Sequence, residues 1–296
     1  MSQAPDGAPP ALSAQAARDL AGRFGLERLG GRPPFGTYVK RLWQRRSFLW
    51  TLSSAQAAEK NAEDRLGALW SLFNPLFLVA SYFLIFGLLL NTRAGVENYV
   101  GFLSIGVVVF GYSSAAITRG AKAIVSNLNL VRALRFPRAM LPLGVVISEG
   151  LATLPAFLVL LVVMFATGES PKLGWLLLPV AFALQAAILG GLVLMGARLL
   201  NASRDLGNLI PVGIRLLRYI SGVFFSIEAQ VPDQEVVRSL LSFQPLALPI
   251  TLVRESLMAE YPIEWGNWVI ALAWALGLMS VGLWIFWRDE ANYGRA

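Results

Sequence analysis

Cysteine and histidine are both absent from the 296 residues of this chain. Without cysteine the protein has no disulfide bond, no thiolate metal ligand and no cysteine nucleophile. Without histidine it has no imidazole metal ligand and no histidine general base. These two absences remove the commonest metal centres and most nucleophilic mechanisms.

Charged residues are scarce as well. They make up 15% of the chain, while hydrophobic residues make up 56% and the mean hydropathy is +0.58. A typical soluble domain carries about 25% charged residues. Several apolar runs reach the roughly 20 residues that a membrane-spanning helix needs. We therefore predict an all-α polytopic membrane protein. Its net charge of +7 is expected to face anionic lipid, and no nucleic acid is expected as a partner.

Six apolar segments are predicted to span the membrane, within one transmembrane domain at 67–296. Their approximate bounds are 69–90, 99–117, 142–166, 173–197, 209–227 and 267–287. All but four of the 25 Lys and Arg residues would then lie on one side, and positive loops stay in the cytoplasm. Both termini are therefore expected inside the cell. The outer segment 228–266 is broken by Pro245 and Pro249, which predicts a pair of re-entrant or interfacial helices.

The N-terminal region divides into two parts. Residues 1–35 are rich in Ala, Gly and Pro, and are expected to be a disordered cytoplasmic tail without a cleavable signal peptide. Residues 36–66 predict amphipathic interfacial and connecting helices. One apolar arc contains Tyr38, Leu42, Trp43 and Trp50, and Arg45 lies on the basic face. This pattern favours a helix in the membrane interface, and the alternative is an amphipathic helix docked on a partner.

Residues 119–143, which we call the basic segment, connect the second and third predicted spans. They carry five positive charges and no negative one. Residues 127–134 can form a short helix, which Phe136-Pro137 would end because a residue before proline is pushed out of the helical region. Such a helix at the cytoplasmic surface could receive a push from a soluble partner. The alternative is a solvated loop that only enforces topology.

The usual catalytic and nucleotide-binding motifs are missing. No Gly-Lys dipeptide is present, so the chain has no P-loop, and it lacks the GxSxG, GxGxxG and Asp-x-Asp motifs. We therefore predict no catalytic residue, no metal site and no cofactor bound by this chain. Glu149 is the only carboxylate inside a predicted span, and we expect it to pair with a neighbouring group rather than to act as a proton relay.

Several short motifs occur in an order typical of one transporter family. They are LGALWSLFNPL at 66–76, Ile85-Phe86-Gly87, Leu130-Val131-Arg132, Phe136-Pro137-Arg138, Arg204-Asp205, and Pro245-Leu246 with Arg254. From Gly36 to the C terminus the chain resembles the ABC-2 family of export permeases. It is most similar to the branch that exports lipid-linked polysaccharides such as O-antigens, teichoic acids and cell-wall galactan. Ser221-Gly222 replaces a frequent Ser-Pro, and Gln244-Pro245 a frequent Asn-Pro.

The resemblance implies a half-transporter in the cytoplasmic membrane of a bacterium, surrounded by membrane lipids. A second copy of the chain and two cytoplasmic ATPase subunits would complete it, with ATP and Mg held by the ATPases. The resemblance also implies that the basic segment contains a coupling helix, with contacts to the ATPase from Asn127, Leu128, Leu130, Val131, Arg132 and Arg135.

The implied substrate is a polyprenyl-pyrophosphate-linked polysaccharide that moves along spans one and five at the dimer interface. The aromatic residues on these spans are Phe73, Phe77, Tyr82, Phe86, Tyr219, Phe224 and Phe225. Flat aromatic faces suit the apolar faces of sugar rings. Arg215 and Arg218 could meet the pyrophosphate, or could extend to the membrane surface instead.

Other functional classes remain open at this point. One is an ATP-independent flippase or secondary transporter, and another is a polyprenyl-phosphate sugar transferase. The scarcity of intramembrane acids disfavours ion coupling, and the missing acidic motif disfavours the transferase. An ABC-2 exporter of a drug or of another lipid is a further alternative, since other branches of the family share the fold.

Overall fold

The computed structural model describes residues 14–23, 33–62, 67–90, 95–133, 136–203, 205–230, 234–290 and 293, and all secondary structure in these ranges is helical. Most of the predicted tail lies outside these ranges, and so do Arg135 and Arg204. Three helices precede the first predicted span: α1 (Ala14–Arg23), α2 (Phe35–Gln44) and α3 (Arg46–Ala62). The predicted interfacial helix is therefore divided at Arg45, and its second half continues into the polar connecting region.

The remaining chain forms a bundle with short helices at both ends. Its helices are α4 (Gly67–Tyr82) with a π-helical continuation (Phe83–Leu89), α5 (Tyr99–Ala121), α6 (Ala123–Ser126), α7 (Leu128–Ala133), α8 (Met140–Ala166), a 3-10 turn (Leu173–Leu177) leading into α9 (Leu178–Ala202), α10 (Leu206–Ile220), α11 (Ile227–Gln230), α12 (Glu235–Ser242), α13 (Leu248–Leu257) and α14 (Trp265–Arg288). The two helices predicted in 228–266 correspond to α12 and α13.

Four of the described helices are long and apolar enough to cross a membrane: Tyr99–Ala121, Met140–Ala166, Leu173–Ala202 and Trp265–Arg288. They match the predicted second, third, fourth and sixth spans. The first span corresponds to α4 with its π-helical continuation, whose apolar part runs from Phe73 to Leu89. The six-span count stays a prediction, because α10 has 15 residues and would extend only about 22 Å.

The predicted end of the fifth span is wrong. Helix α10 ends at Ile220, whereas the sequence pattern extended the span to 227. Gly222 adopts a φ of +66°, a left-handed conformation that ends a helix and costs glycine little. The chain then turns through 221–226, and this turn brings Phe224 back against the bundle.

Helix α5 forms the centre of the bundle. In its most apolar stretch of 18 residues, 78% is buried within the protein. The side chains of Phe102, Ile105 and Phe110 are completely buried. It packs against α8, α9, α10 and α13. At Gly106 an added Cβ would lie 2.7 Å from the carbonyl oxygen of Val223. The turn after α10 therefore rests directly on the central helix.

Candidate functional site

Four aromatic side chains from the first span and the α10 region meet in one group, which we call the aromatic cluster: Tyr82, Phe86, Tyr219 and Phe224. The ring of Phe86 stacks on Phe224 with centroids 4.3 Å apart. Tyr82 meets the same ring edge-on at 4.8 Å, and Tyr219 lies 5.5 Å from it. The two segments that the sequence assigned to a transport pathway therefore contact each other through these rings.

Phe224 is at the centre of this cluster and is completely buried. Its position depends on the turn after α10. The hydroxyl of Tyr99 donates to the Phe224 carbonyl at 2.8 Å, and the guanidinium of Arg254 donates to the Gly222 carbonyl at 2.8 Å. That Phe224 lines the substrate pathway stays a prediction. In this structure its ring lies between the two segments and is stacked on Phe86.

Arg218 adds a cation to the aromatic cluster. Its Nη1 donates to the hydroxyl of Tyr82 at 3.0 Å, and its guanidinium carbon lies 5.4 Å from the ring centroid of Phe110. Its buried Nε has no hydrogen-bond partner among the described residues. A planar guanidinium suits a phosphate or hydroxyl oxygen. Arg215 is exposed on the same helix, so the structure separates the two arginines that the sequence treated alike.

The other predicted pathway aromatics lie outside the cluster. The rings of Phe73 and Phe77 are 6.2 Å apart, and these side chains are 46% and 61% exposed on the surface of α4. Phe225 is partly buried and packs against the main core. In a single chain, Phe73 and Phe77 are therefore available to lipid, to a second protein copy or to a substrate.

The basic segment contains the short helix that the sequence predicted, with narrower bounds. Helix α5 continues to Ala121, and α6 and α7 follow, separated by Asn127. The side chain of Asn127 donates to the carbonyl of Ala123 at 2.8 Å and so caps the end of α6. The carbonyl of Asn127 accepts from the amide of Val131 at 3.0 Å and begins the next turn.

The apolar side of α7 packs on its own chain. Val131 is 4% exposed, and Leu130 is partly buried against the same group of residues. The expected contact of Val131 with the ATPase is therefore corrected, because its own chain buries this side chain, whereas the expected contact of Leu130 stays a prediction. Leu128 is half-buried, while Asn129 and Arg132 are exposed. A partner that meets α7 would contact this polar side.

One ion pair connects α5 to α8 where the basic segment begins. Nη1 of Arg119 lies 2.9 Å from Oε1 of Glu149, and the side chains are 57% and 6% exposed. The prediction that Glu149 pairs with a neighbour is confirmed, and the neighbour is Arg119. In the described parts of the chain, no three His, Cys, Asp or Glu side chains are close enough together to hold a metal ion.

The predicted interfacial helix is only partly available to a membrane. Trp43 and Trp50 are 69% and 58% exposed, Leu42 is half-buried and Arg45 is exposed. Tyr38 is 1% exposed, so its assignment to the lipid-facing side is corrected. An apolar arc has the same sequence pattern whether it faces lipid or protein. Here the Tyr38 side chain lies in the protein interior.

Tyr38 contacts a carboxylate that the sequence did not indicate. Its hydroxyl donates to Oε2 of Glu290 at 2.9 Å, and the amide of Arg138 donates to Oε1 at 3.0 Å. Burial raises the pKa of the Glu290 carboxyl above its usual range, although these hydrogen bonds act in the opposite direction. A single glutamate after an apolar run resembles any polar tail, so the sequence contained no signal for this contact.

The opposite end of the bundle is held by several separate polar contacts. The side chain of Asn98 donates to Thr167 at 2.9 Å, and Glu169 accepts from the amide of Ala259 at 2.9 Å. Arg254 is buried there, with its guanidinium carbon 3.4 Å from the ring centroid of Phe102. The sequence placed Arg254 in the outer segment with its predicted re-entrant or interfacial helices, and its burial against Phe102 was missed.

Comparison of the sequence with known proteins identifies a matching family. The sequence profile of the ABC-2 type transporter matches residues 48–258. The chain is also similar to the O-antigen export system permease protein RfbA of Klebsiella pneumoniae, with 28% identity over 194 residues, or 65% of this chain and 73% of that protein. The protein of the same name from Myxococcus xanthus is 24% identical over 213 residues, covering 72% and 81%. The profile match includes the basic segment and the whole aromatic cluster.

Proposed function

Because the chain belongs to the ABC-2 type transporter family, we propose that it is the membrane subunit of an ATP-driven exporter of a polyprenyl-pyrophosphate-linked polysaccharide. The resemblance noted in its sequence motifs is confirmed at the level of the family. The names of the similar Klebsiella and Myxococcus proteins refer to O-antigen export, and they support a polysaccharide as the cargo. Export would occur across the cytoplasmic membrane, with both termini of the chain in the cytoplasm.

The observation that carries the proposal is the combination of aromatic rings with Arg218. Sugar rings pack their apolar C–H faces on aromatic side chains, and a guanidinium binds phosphate oxygens in a planar geometry. Both groups occur together where Arg218 meets Tyr82. In the proposed transport cycle, Phe224 withdraws from its position against Phe86, and the opened surface then binds the sugar chain and its pyrophosphate.

ATP hydrolysis is assigned to a separate protein. The sequence has no P-loop, so the chain requires a partner that binds ATP and Mg. We propose two cytoplasmic ATPase subunits and a second copy of this chain. The polar side of α7, which includes Arg132, is the proposed contact with an ATPase. Arg135 and the half-buried Leu128 are proposed to extend that contact.

Two single substitutions test the substrate site. Arg218→Gln removes the cation beside Tyr82, and the loss of a charged hydrogen bond to substrate should lower export about tenfold or more. Arg215→Gln is the comparison, and a smaller loss is expected because Arg215 takes no part in the aromatic cluster. Export is measured as surface polysaccharide per permease, and both variants should accumulate in the membrane like the wild type. Equal export by Arg218→Gln and the wild type would contradict the pyrophosphate assignment.

The ATPase partner is tested by purification from the native membrane. The proposal predicts that an ATPase subunit co-purifies and that lipid-linked saccharide stimulates ATP hydrolysis in proteoliposomes. Transport of the saccharide without an ATPase would instead support an ATP-independent flippase. Stimulation by a drug or by an ordinary phospholipid, but not by lipid-linked saccharide, would support another branch of the family.

A further inference from the structure

Three segments that are far apart in the sequence meet at Glu290. They are α2 through Tyr38, the start of α8 through Arg138 and Ala139, and the residues that follow α14. Tyr38 and Glu290 both lie outside residues 48–258, which the ABC-2 profile matches, whereas Arg138 and Ala139 lie within them. The match to the family therefore gives no role to this contact.

Four hydrogen bonds hold the three segments together. The carboxylate of Glu290 accepts from the Tyr38 hydroxyl at 2.9 Å and from the Arg138 amide at 3.0 Å. The guanidinium of Arg138 donates to the backbone carbonyl of Glu290 at 2.5 Å, and the amide of Ala139 donates to the Tyr38 hydroxyl at 3.1 Å. Tyr38 and Ala139 are 1% and 0% exposed, so water cannot readily replace these bonds.

Apolar contacts surround the hydrogen bonds and extend to α7. Val131 of α7, Tyr38, Ala139 and Phe286 belong to one continuous cluster of buried side chains. The indole of Trp287 also donates to the carbonyl of Pro33 at 2.8 Å, which ties α14 to the residue pair before α2. Close-packed side chains transmit displacement because they leave few voids to absorb it. Val131 of α7 and Tyr38 of α2 belong to the same packed cluster, which offers a path for displacement between the two helices.

We propose that Tyr38 and Glu290 are positioning residues that transmit the movement of α7 to the interfacial helix α2 and to the end of α14. This inference rests on the proposed function, because the movement of α7 would come from the ATPase. A displacement of α7 would shift Arg138 and Ala139. Their hydrogen bonds to Glu290 and Tyr38 would then displace α2. Without these bonds α7 would still bind the ATPase, but its movement would no longer reach α2.

The test compares two buried tyrosines of the same cluster. Tyr38→Phe removes a hydroxyl that connects α2 to both other segments. Tyr293→Phe is the matched control, since the hydroxyl of Tyr293 donates to the Phe286 carbonyl at 3.2 Å, within the C-terminal segment. Both changes remove one buried hydroxyl and keep the ring.

The readout is polysaccharide exported per ATP hydrolysed by the purified complex in proteoliposomes. We expect Tyr38→Phe to lower this ratio about fivefold or more, the range of a typical coupling between two sites, with the amount of bound ATPase unchanged. Tyr293→Phe should keep the wild-type ratio. Hydrogen exchange gives an independent measurement, because the amide of Ala139 donates to the Tyr38 hydroxyl. This amide should exchange faster in Tyr38→Phe than in the wild type, and at the wild-type rate in Tyr293→Phe.

The outcomes separate this inference from the proposed function. If the wild-type chain exports polysaccharide without an ATPase, both the proposed function and this inference fail. If the wild type is ATP-driven and Tyr38→Phe keeps its export ratio, only the role of Tyr38 and Glu290 is overturned. An equal loss in both tyrosine variants would also overturn it, since the hydroxyls would then serve stability alone. If Tyr38→Phe does not accumulate, Glu290→Gln takes its place, because the amide keeps the volume but leaves one accepting oxygen. An unchanged ratio in that variant overturns the inference as well.

Discussion

Two pairs of segments in this bundle are packed in opposite ways. Helices α9 and α14 approach each other backbone to backbone, so that a Cβ added at Gly191 would lie 2.3 Å from the carbonyl group of Leu278. The π-helical end of the first span and α10 meet through side chains of the aromatic cluster. Large apolar side chains of the same two segments are exposed, including Leu88 and Leu216 at 56% and 64%.

The difference between the pairs concerns how each could move. Backbones in direct contact leave no side chain that could change its rotamer and absorb a displacement. Rings can rotate or slide, so a contact made through side chains can open more easily than a contact between two backbones. We accordingly regard α9 and α14 as the fixed frame of the transporter, and α10 with the first span as its adjustable wall.

The strongest way to break this comparison is to add one carbon between α9 and α14. Gly191→Ala should lower the free energy of unfolding by about 3 kcal/mol, because the methyl group overlaps the backbone of Leu278 and overpacking is costly. Gly277→Ala is the control on α14, since a Cβ there meets nothing within 4 Å. Denaturation of the purified protein measures both. Equal stability of the two variants would show that the helices separate easily.

The next test changes the centre of the adjustable wall. Phe224→Leu should cost about 1–2 kcal/mol, since the smaller side chain loses the stacking on Phe86 and leaves part of its space empty. Phe77→Leu, at a position 61% exposed, is expected to change stability by less than about 0.5 kcal/mol. Thermal denaturation compares the two, and a larger cost at Phe77 would mean that α4 is buried against a second chain.

A smaller effect is expected from the polar contact between the same segments. Tyr82→Phe removes the hydroxyl that accepts from Arg218, and should cost about 1 kcal/mol, the usual value of one hydrogen bond. A double-mutant cycle with Arg218→Gln isolates the pair. The two costs should not add, because either change removes the same bond. Full additivity would indicate that Arg218 and Tyr82 act separately.

The smallest expected effect tests whether the fixed frame extends to Glu290, the second residue after α14. Burial raises the folded-state pKa of Glu290 above 4.5. Its contribution to stability is therefore present below the unfolded pKa and is lost as the pH rises through the folded pKa. The melting temperature of the wild type relative to Glu290→Gln should fall as the pH rises above 4.5 and through the raised pKa of Glu290. A relative rise over this interval would mean that the folded site favours the ionised carboxylate.

The long helices were predictable because hydrophobic length is a local property. The third span was expected at 142–166 and is observed as Met140–Ala166. The end of the fifth span was not predictable in the same way, since a run of apolar residues continues past Ile220. The left-handed turn at Gly222 ends the helix, and that conformation is stabilised by Arg254, which is distant in the sequence.

The candidate site divides in the same manner. Its aromatic residues and arginines could be named from their positions on two spans, but residues one turn apart on α10 have different surroundings. Arg218 lies beside Tyr82 and Phe110, while Arg215 is exposed. For α7, an apolar side chain such as Val131 fits a partner protein as well as its own core. Hydrophobicity shows that a residue will be buried and does not show what will bury it.

By itself the sequence determined the all-helical membrane class, the positions of the four longest helices, the short helix in the basic segment and the resemblance to the ABC-2 family. These depend on composition, periodicity and neighbouring residues, which are local. Only the tertiary structure decided that Phe224 closes the space beside Phe86, that α9 touches α14 at Gly191, and that Tyr38 meets Glu290 across 252 positions of the chain. Such contacts depend on how helices are placed in three dimensions, and a hydroxyl or carboxylate has the same chemistry before and after that placement.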